Sequence, residues 1–115
     1  MEQTLSKEQV IKEVISFTGV SLTEITGKSK QDNHVVARNF IISLLSLKVG
    51  MSDYDIGKFL KRNRSSIVVR KKDHQIRLNY EIYSNDYNRL LDRVELLQYG
   101  AITKEALKEI GRAHV

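Results

Sequence analysis

Residues Lys61–Lys72 read KRNRSSIVVRKK and hold six cations, Lys61, Arg62, Arg64, Arg70, Lys71 and Lys72, with no acid among them. Lys58 extends the run, whereas the N-terminal segment and the tail mix signs. The formal net charge of +5 is therefore concentrated rather than spread. Cations at this density attract a polyanion, and a helix start favours phosphate through its unsatisfied backbone N–H groups. Arg62 and Arg64 suit charge-assisted phosphate contacts or a two-bond grip on guanine. Asn63 could cap a helix or pair with adenine, and the two roles compete for one amide. Ser65 and Ser66 are short hydroxyls that allow close approach to a backbone or a base edge, and Arg70 and Lys72 prolong the positive face. Val69 reads either as a thymine contact or as packing, with packing slightly favoured. Lys71, four residues after Ile67, falls on the core-facing side and reads as a snorkelling stem. Such a run alone is equally a solvated face. A second basic pair, Lys28 and Lys30 in GKSKQDN, tilts the balance towards nucleic acid.

Other chemistries find little support. His34, His74 and His114 are far apart and lack a metal-ligand spacing. Asp53 and Asp55 flank Tyr54 like paired catalytic carboxylates, but capping and the helix dipole explain acids in a first turn. The absence of cysteine removes disulfides, thiolate chemistry and cysteine-ligated metals. No GxxxxGK[ST] phosphate loop occurs in these 115 residues. The expectation is a binding protein rather than an enzyme, with no cofactor, no metal and no small-molecule substrate. No apolar run approaches the ~20 residues of a membrane span, and MEQTLSKEQV lacks the order of a secretion leader. Both point to the cytoplasm and away from a membrane.

The elements that must position the basic run are helical throughout. With 115 residues, 41% hydrophobic content and no proline, one all-α domain over 1–115 is expected. Ser6 caps a helix over about 7–18 whose apolar stripe is Val10, Ile11, Val14, Ile15 and Phe17, with Gly19 as the stop. Ser21 and Glu24 form the capping box of a short helix closed by Gly27. The most apolar segment, about 32–48, predicts a central helix carrying Val36, Phe40, Ile41, Leu44, Leu45 and Leu47. Lys48 and Gly50 end it. Ser52 caps the next helix, with Asp55 at the third position, and Ile56, Phe59 and Leu60 face inward. After KRNR a new helix starts near Asn63 or Arg64. Ser84 or Asn85 is expected to cap a further helix with a stripe of Tyr87, Leu90, Leu91, Val94 and Leu97. Gly100 and Thr103 introduce a final short helix, TKEALKEIGR. The stripe is core, or a homodimer seam if the last helices extend away.

The segment from about 52 to 79 thus reads as a helix-turn-helix, with 80–115 as a helical extension. From Val20 to Ile76, about half the chain, the order of motifs resembles the C-terminal DNA-binding domain of the bacterial replication initiator DnaA. GKSK at Gly27–Lys30, ARNFIISLL at Ala37–Leu45, SDYDIG at Ser52–Gly57 and RNRSSIVV at Arg62–Val69 stand where that family has its basic arm, long helix, first helix of the motif and signature. The resemblance implies a Trp-repressor-like all-α fold and double-stranded DNA as partner. It also implies a minor-groove contact from Lys30, with Lys28 beside it, and a backbone-supporting role for Ser66. The family's base-reading Asp-His-Thr is replaced by Asn63, Arg64 and Ser65, so the initiator's own target sequence is not implied. Tyr54 stands where the family often has proline, and the turn is about one residue shorter. The family's ATPase domain has no counterpart here.

The resulting expectation is sequence-preferring DNA binding, with helix Asn63–Leu78 in the major groove. The setting would be a regulator or replication accessory of a bacterium, phage or mobile element. The alternative is a helical protein–protein adaptor or phage structural component that keeps its basic face for solubility. RNA binding is weaker, because aromatic residues do not interleave with the basic patch.

Overall fold

The computed structural model describes the backbone over residues 5–113 and side chains over residues 5–99. Helices α1 (Lys7–Thr18), α2 (Leu22–Thr26), α3 (Asp32–Leu44), α4 (Asp53–Leu60), α5 (Arg64–Arg77) and α6 (Glu81–Ala113) follow one another. No strand occurs among the described residues, as the uniform helical periodicity requires.

Local chemistry fixes the first two starts. Ser6 and Gln9 close a reciprocal capping box at 2.9 and 3.1 Å, and Ser21 and Glu24 repeat it at α2. Gly19 closes α1 in the left-handed conformation, φ 72°. Helix α3 is the centre of the molecule. Ala37, Phe40, Ile41, Ile42 and Leu44 are buried on several sides of it, against Val10 and Val14 of α1, Ile25 of α2 and Ile67 of α5.

The central helix departs from the expected single run to Lys48. From Leu45 to Val49 it widens into a π-helical turn, which Gly50 closes at φ 79° by donating its N–H to the Leu45 carbonyl. The wider turn rotates the side chains that follow it. Leu47, expected in the core, is 64% exposed. Lys48 reaches Glu95 of α6 at 3.1 Å, and Ser46 accepts a bond from Lys71 of α5.

The C-terminal region differs more. The expected helix boundaries at Ser84/Asn85 and at Gly100–Thr103 do not occur, and one helix runs from Glu81 to Ala113. The turn ahead of it is closed by main-chain bonds, from Asn79 N–H to Ile76 and from Tyr80 N–H to Arg77, so no side-chain cap is needed. Ser84 lies inside the helix, its N–H donating to Tyr80. A glycine within a helix costs only about 1 kcal/mol, and Gly100 does not stop this one. Tyr83, Tyr87, Leu90 and Val94 bury one face of α6, whereas Leu97 is exposed. Arg93 binds Glu13 of α1 at 2.7 Å and seals that packing. Tyr87, Leu90 and Val94 are therefore core residues. His114 lies outside the described residues.

Candidate nucleic-acid interface

Helices α4 and α5 form the helix-turn-helix. Ser52 caps α4 by accepting the Asp55 N–H at 3.2 Å. The connection is tight: Lys61 adopts a left-handed conformation at φ 59°, and the Arg62 N–H donates to the Gly57 carbonyl at 2.8 Å. Asn63 then caps α5 through its Oδ1, which accepts the Ser66 N–H at 2.8 Å. Of its two candidate roles the cap takes the oxygen and leaves the amide N–H groups.

Buried Ile67 and His74 anchor the rear of α5. Ser65, Val69, Lys72 and Ile76, spaced by four, three and four, form its exposed face. Val69 is 54% exposed, so the packing role favoured for it does not hold. Lys71 is turned to Asp53 at the start of α4 and to Ser46, a tie between the two helices of the motif. Asp53 thus serves α4's start and this ion pair. The Nδ1 of His74 lies 2.7 Å from the Tyr83 hydroxyl, and its ring packs edge-on against Phe40 and Tyr87.

A shallow cleft of about 420 Å³ runs between the arm before α3 and the start of α5. Lys30 and Arg38 line one side; Arg62, Asn63, Ser65, Ser66, Val69 and Arg70 line the other. Six of the ten residues marked by the sequence therefore share one concavity. Arg64, at the first position of α5, and Lys28 and Lys61 are exposed outside it. Lys72 borders a separate groove with Val68, Gln75 and Asp53.

Two roles are open to Arg38 within the central helix: touching phosphate, or acting internally by an ion pair or by capping a neighbouring helix end. It is only 4% exposed and takes the internal role through capping. Its guanidinium donates to the carbonyls of Ile25 (2.8 Å), Glu24 (3.1 Å), Gly27 (2.9 Å) and Ser29. This satisfies the orphan carbonyls of α2 and fixes the backbone that carries Lys28 and Lys30. Burial, and then the charges of Arg62 and Arg70, hold Arg38's pKa below its ordinary value. Burial and then Arg70 do the same to Arg62. Three guanidinium groups thus stand close enough to repel one another, and only Arg70 has a carboxylate partner, Asp73 at 3.3 Å.

Asp73 is a junction, accepting from Asn39 at 2.9 Å and from Arg77 at 2.8 Å. Burial alone would raise its pKa; the Asn39 bond and the Arg77 and Arg70 charges outweigh that and hold it low. Burial lowers the pKa of His74, against a smaller opposing pull from Asp73. Both groups bind fewer protons folded than unfolded, so both contribute stability that is lost on acidification. The unfolded chain begins to protonate His74 below about pH 6.5 and Asp73 below about pH 4. Urea midpoints recorded from about pH 8 to 2 are expected to fall in those two stages. Asp73→Asn should flatten the lower stage, and an unchanged slope there would contradict the junction role.

The sequence matches the bacterial DnaA protein helix-turn-helix over residues 7–73, more than half the chain. The chain belongs to that family. No curated protein matches it. Family membership supports double-stranded DNA binding through α4 and α5. The match also takes in α1, α2 and the arm, so the cleft's arm side belongs to the DnaA helix-turn-helix unit. It stops at Asp73, before the last turn of α5 and short of all of α6. No helix among the described residues is long and apolar enough to cross a membrane, and no group of three metal-ligating side chains occurs among them.

Proposed function

We propose that this protein binds double-stranded DNA with sequence preference, placing α5 in the major groove and the Lys28–Lys30 arm in the flanking minor groove or on its phosphates. The observation that carries the reading is the shared cleft. Lys30 from the arm and Ser65, Ser66 and Val69 from α5 line one concavity, so one duplex can touch both at once. The convergent charges of Arg38, Arg62 and Arg70 give an incoming phosphate something to neutralise. Arg64, Ser65 and the free amide of Asn63 are the base-reading groups. Lys61, Ser66, Arg70 and Lys72 serve the backbone. Regulation or replication of DNA in the cytoplasm of a bacterium, or of a phage or mobile element within one, is the setting in which such a module acts.

Selection from a random duplex library at physiological salt tests the reading directly. An enriched motif is expected, and a palindromic one would indicate that two copies act together. Arg64→Ala is expected to weaken the enriched site by about 1–3 kcal/mol and to blur one position. Lys72→Ala should instead weaken all duplexes alike and lower the salt slope by about one unit. Failure to retain any duplex at low salt would favour the adaptor reading. The exposed Ile76, Tyr80 and Ile82 beside Asp32 and Asp86 would then be the surface to probe.

A further inference from the structure

Two guanidinium groups distant in sequence meet on one backbone oxygen. The Gly27 carbonyl, immediately before Lys28, accepts from Arg38 at 2.9 Å and also from Arg62. Arg62 uses its other terminal nitrogen on the Leu60 carbonyl at 3.1 Å, where α4 ends. One side chain therefore straps the turn of the helix-turn-helix to the root of the basic arm. Its own backbone is already fixed by the bond from its N–H to Gly57 and by the Asn63 cap that follows. A substitution at 62 thus changes the strap while leaving the turn's main-chain bonds in place.

Charge alone would suffice for a phosphate contact, and lysine would replace arginine there at little cost. A strap needs something different. Two carbonyls in different directions must be met at once by a rigid planar fork, which a compact ammonium does not supply. We infer that Arg62 is a positioning residue: it sets the arm bearing Lys28 and Lys30 in register with α5, so base preference on the arm side depends on a residue that reads no base. The inference rests on the DNA-binding reading above and adds to it how the two contact elements are held at a fixed spacing.

The test compares the unmodified full chain with Lys30→Ala, Arg62→Lys and Arg62→Ala, all against the random duplex library and then the enriched duplex. Positions whose preference Lys30→Ala erases define the arm side. Arg62→Lys is expected to lower preference at those positions about tenfold, while preference at the positions read by α5 stays within about twofold. Its salt slope should match that of the unmodified chain, because the charge is kept. Arm-side preference retained in both Arg62 variants would overturn the inference. So would an Arg62→Ala salt slope reduced by about one unit with every preference unchanged, the behaviour of a phosphate contact. A purely structural role lowers the folded fraction and scales binding to all duplexes equally, and that result would overturn it too. If the unmodified chain enriches no motif, the sequence-preference reading falls and this inference falls with it.

Discussion

Replacing Arg38 by methionine is expected to lower stability by about 3 kcal/mol, read as a reduced urea midpoint at unchanged slope. Methionine keeps a flexible apolar stem in place of the arginine's but takes this donor from the carbonyls of Glu24, Ile25 and Ser29 and leaves Gly27 with Arg62 alone. A buried acceptor stripped of its partner costs about 1–3 kcal/mol, and at least one of these lies fully inside. Relief of the repulsion from Arg62 and Arg70 works in the other direction. It should be the smaller effect, because those charges are partly exposed and water screens them. The arm would also lose its anchor, so DNA affinity should fall even where the chain remains folded. A stability within about 0.5 kcal/mol of the parent's would mean that the carbonyls find water instead.

Gly57→Ala is the second large effect. Helix α4 would gain about 1 kcal/mol of intrinsic preference from losing a glycine. Against this, a Cβ at position 57 would stand 2.6 Å from the Arg62 carbonyl oxygen and 3.4 Å from Ile67 Cγ1. The oxygen belongs to main chain pinned by the bond from the Arg62 N–H to Gly57, so it cannot swing aside as a flexible side chain would. Overpacking of this kind costs about 1–3 kcal/mol, and here the upper part of that range should prevail, leaving a net loss near ~2 kcal/mol. The turn that presents Asn63 and Arg64 would be displaced as well, so DNA binding should drop more than stability. A variant as stable and as active as the parent would show that α4 and α5 can separate freely.

The helical class, the first five helix starts and the helix-turn-helix were legible because each rests on local signals: a serine or asparagine cap, a glycine stop, an apolar step of three and four. Lys30, Arg62 and Ser65 could be marked from charge and motif order alone. What could not be read depends on geometry across distance. Arg38 looks like any arginine in an amphipathic segment until α2 is docked with its carbonyls facing it. Lys71 had no partner within a helical turn because Asp53 lies eighteen residues upstream. Leu47 and Val69 were misplaced for different reasons. A π-helical turn shifted the register of the first, and the second stands on a face that the sequence could not tell from core. The long C-terminal helix was divided in expectation at Gly100 because a glycine costs helix energy, but the cost is too small to break a run with no competing turn.

That helix has a mechanical consequence. Its last buried position among the described side chains is Val94, yet it continues to Ala113, about 28 Å further at ~1.5 Å per residue. Tyr83 and Tyr87 clamp its base against Phe40, and Tyr83 also meets His74 on α5. Torque applied at the far end would pass through an unbroken rod into the back of α5, with only three residues of slack between the two helices. The molecule has the build of a lever, with the two clamped tyrosines as its fulcrum and the helix beyond Val94 as its long arm.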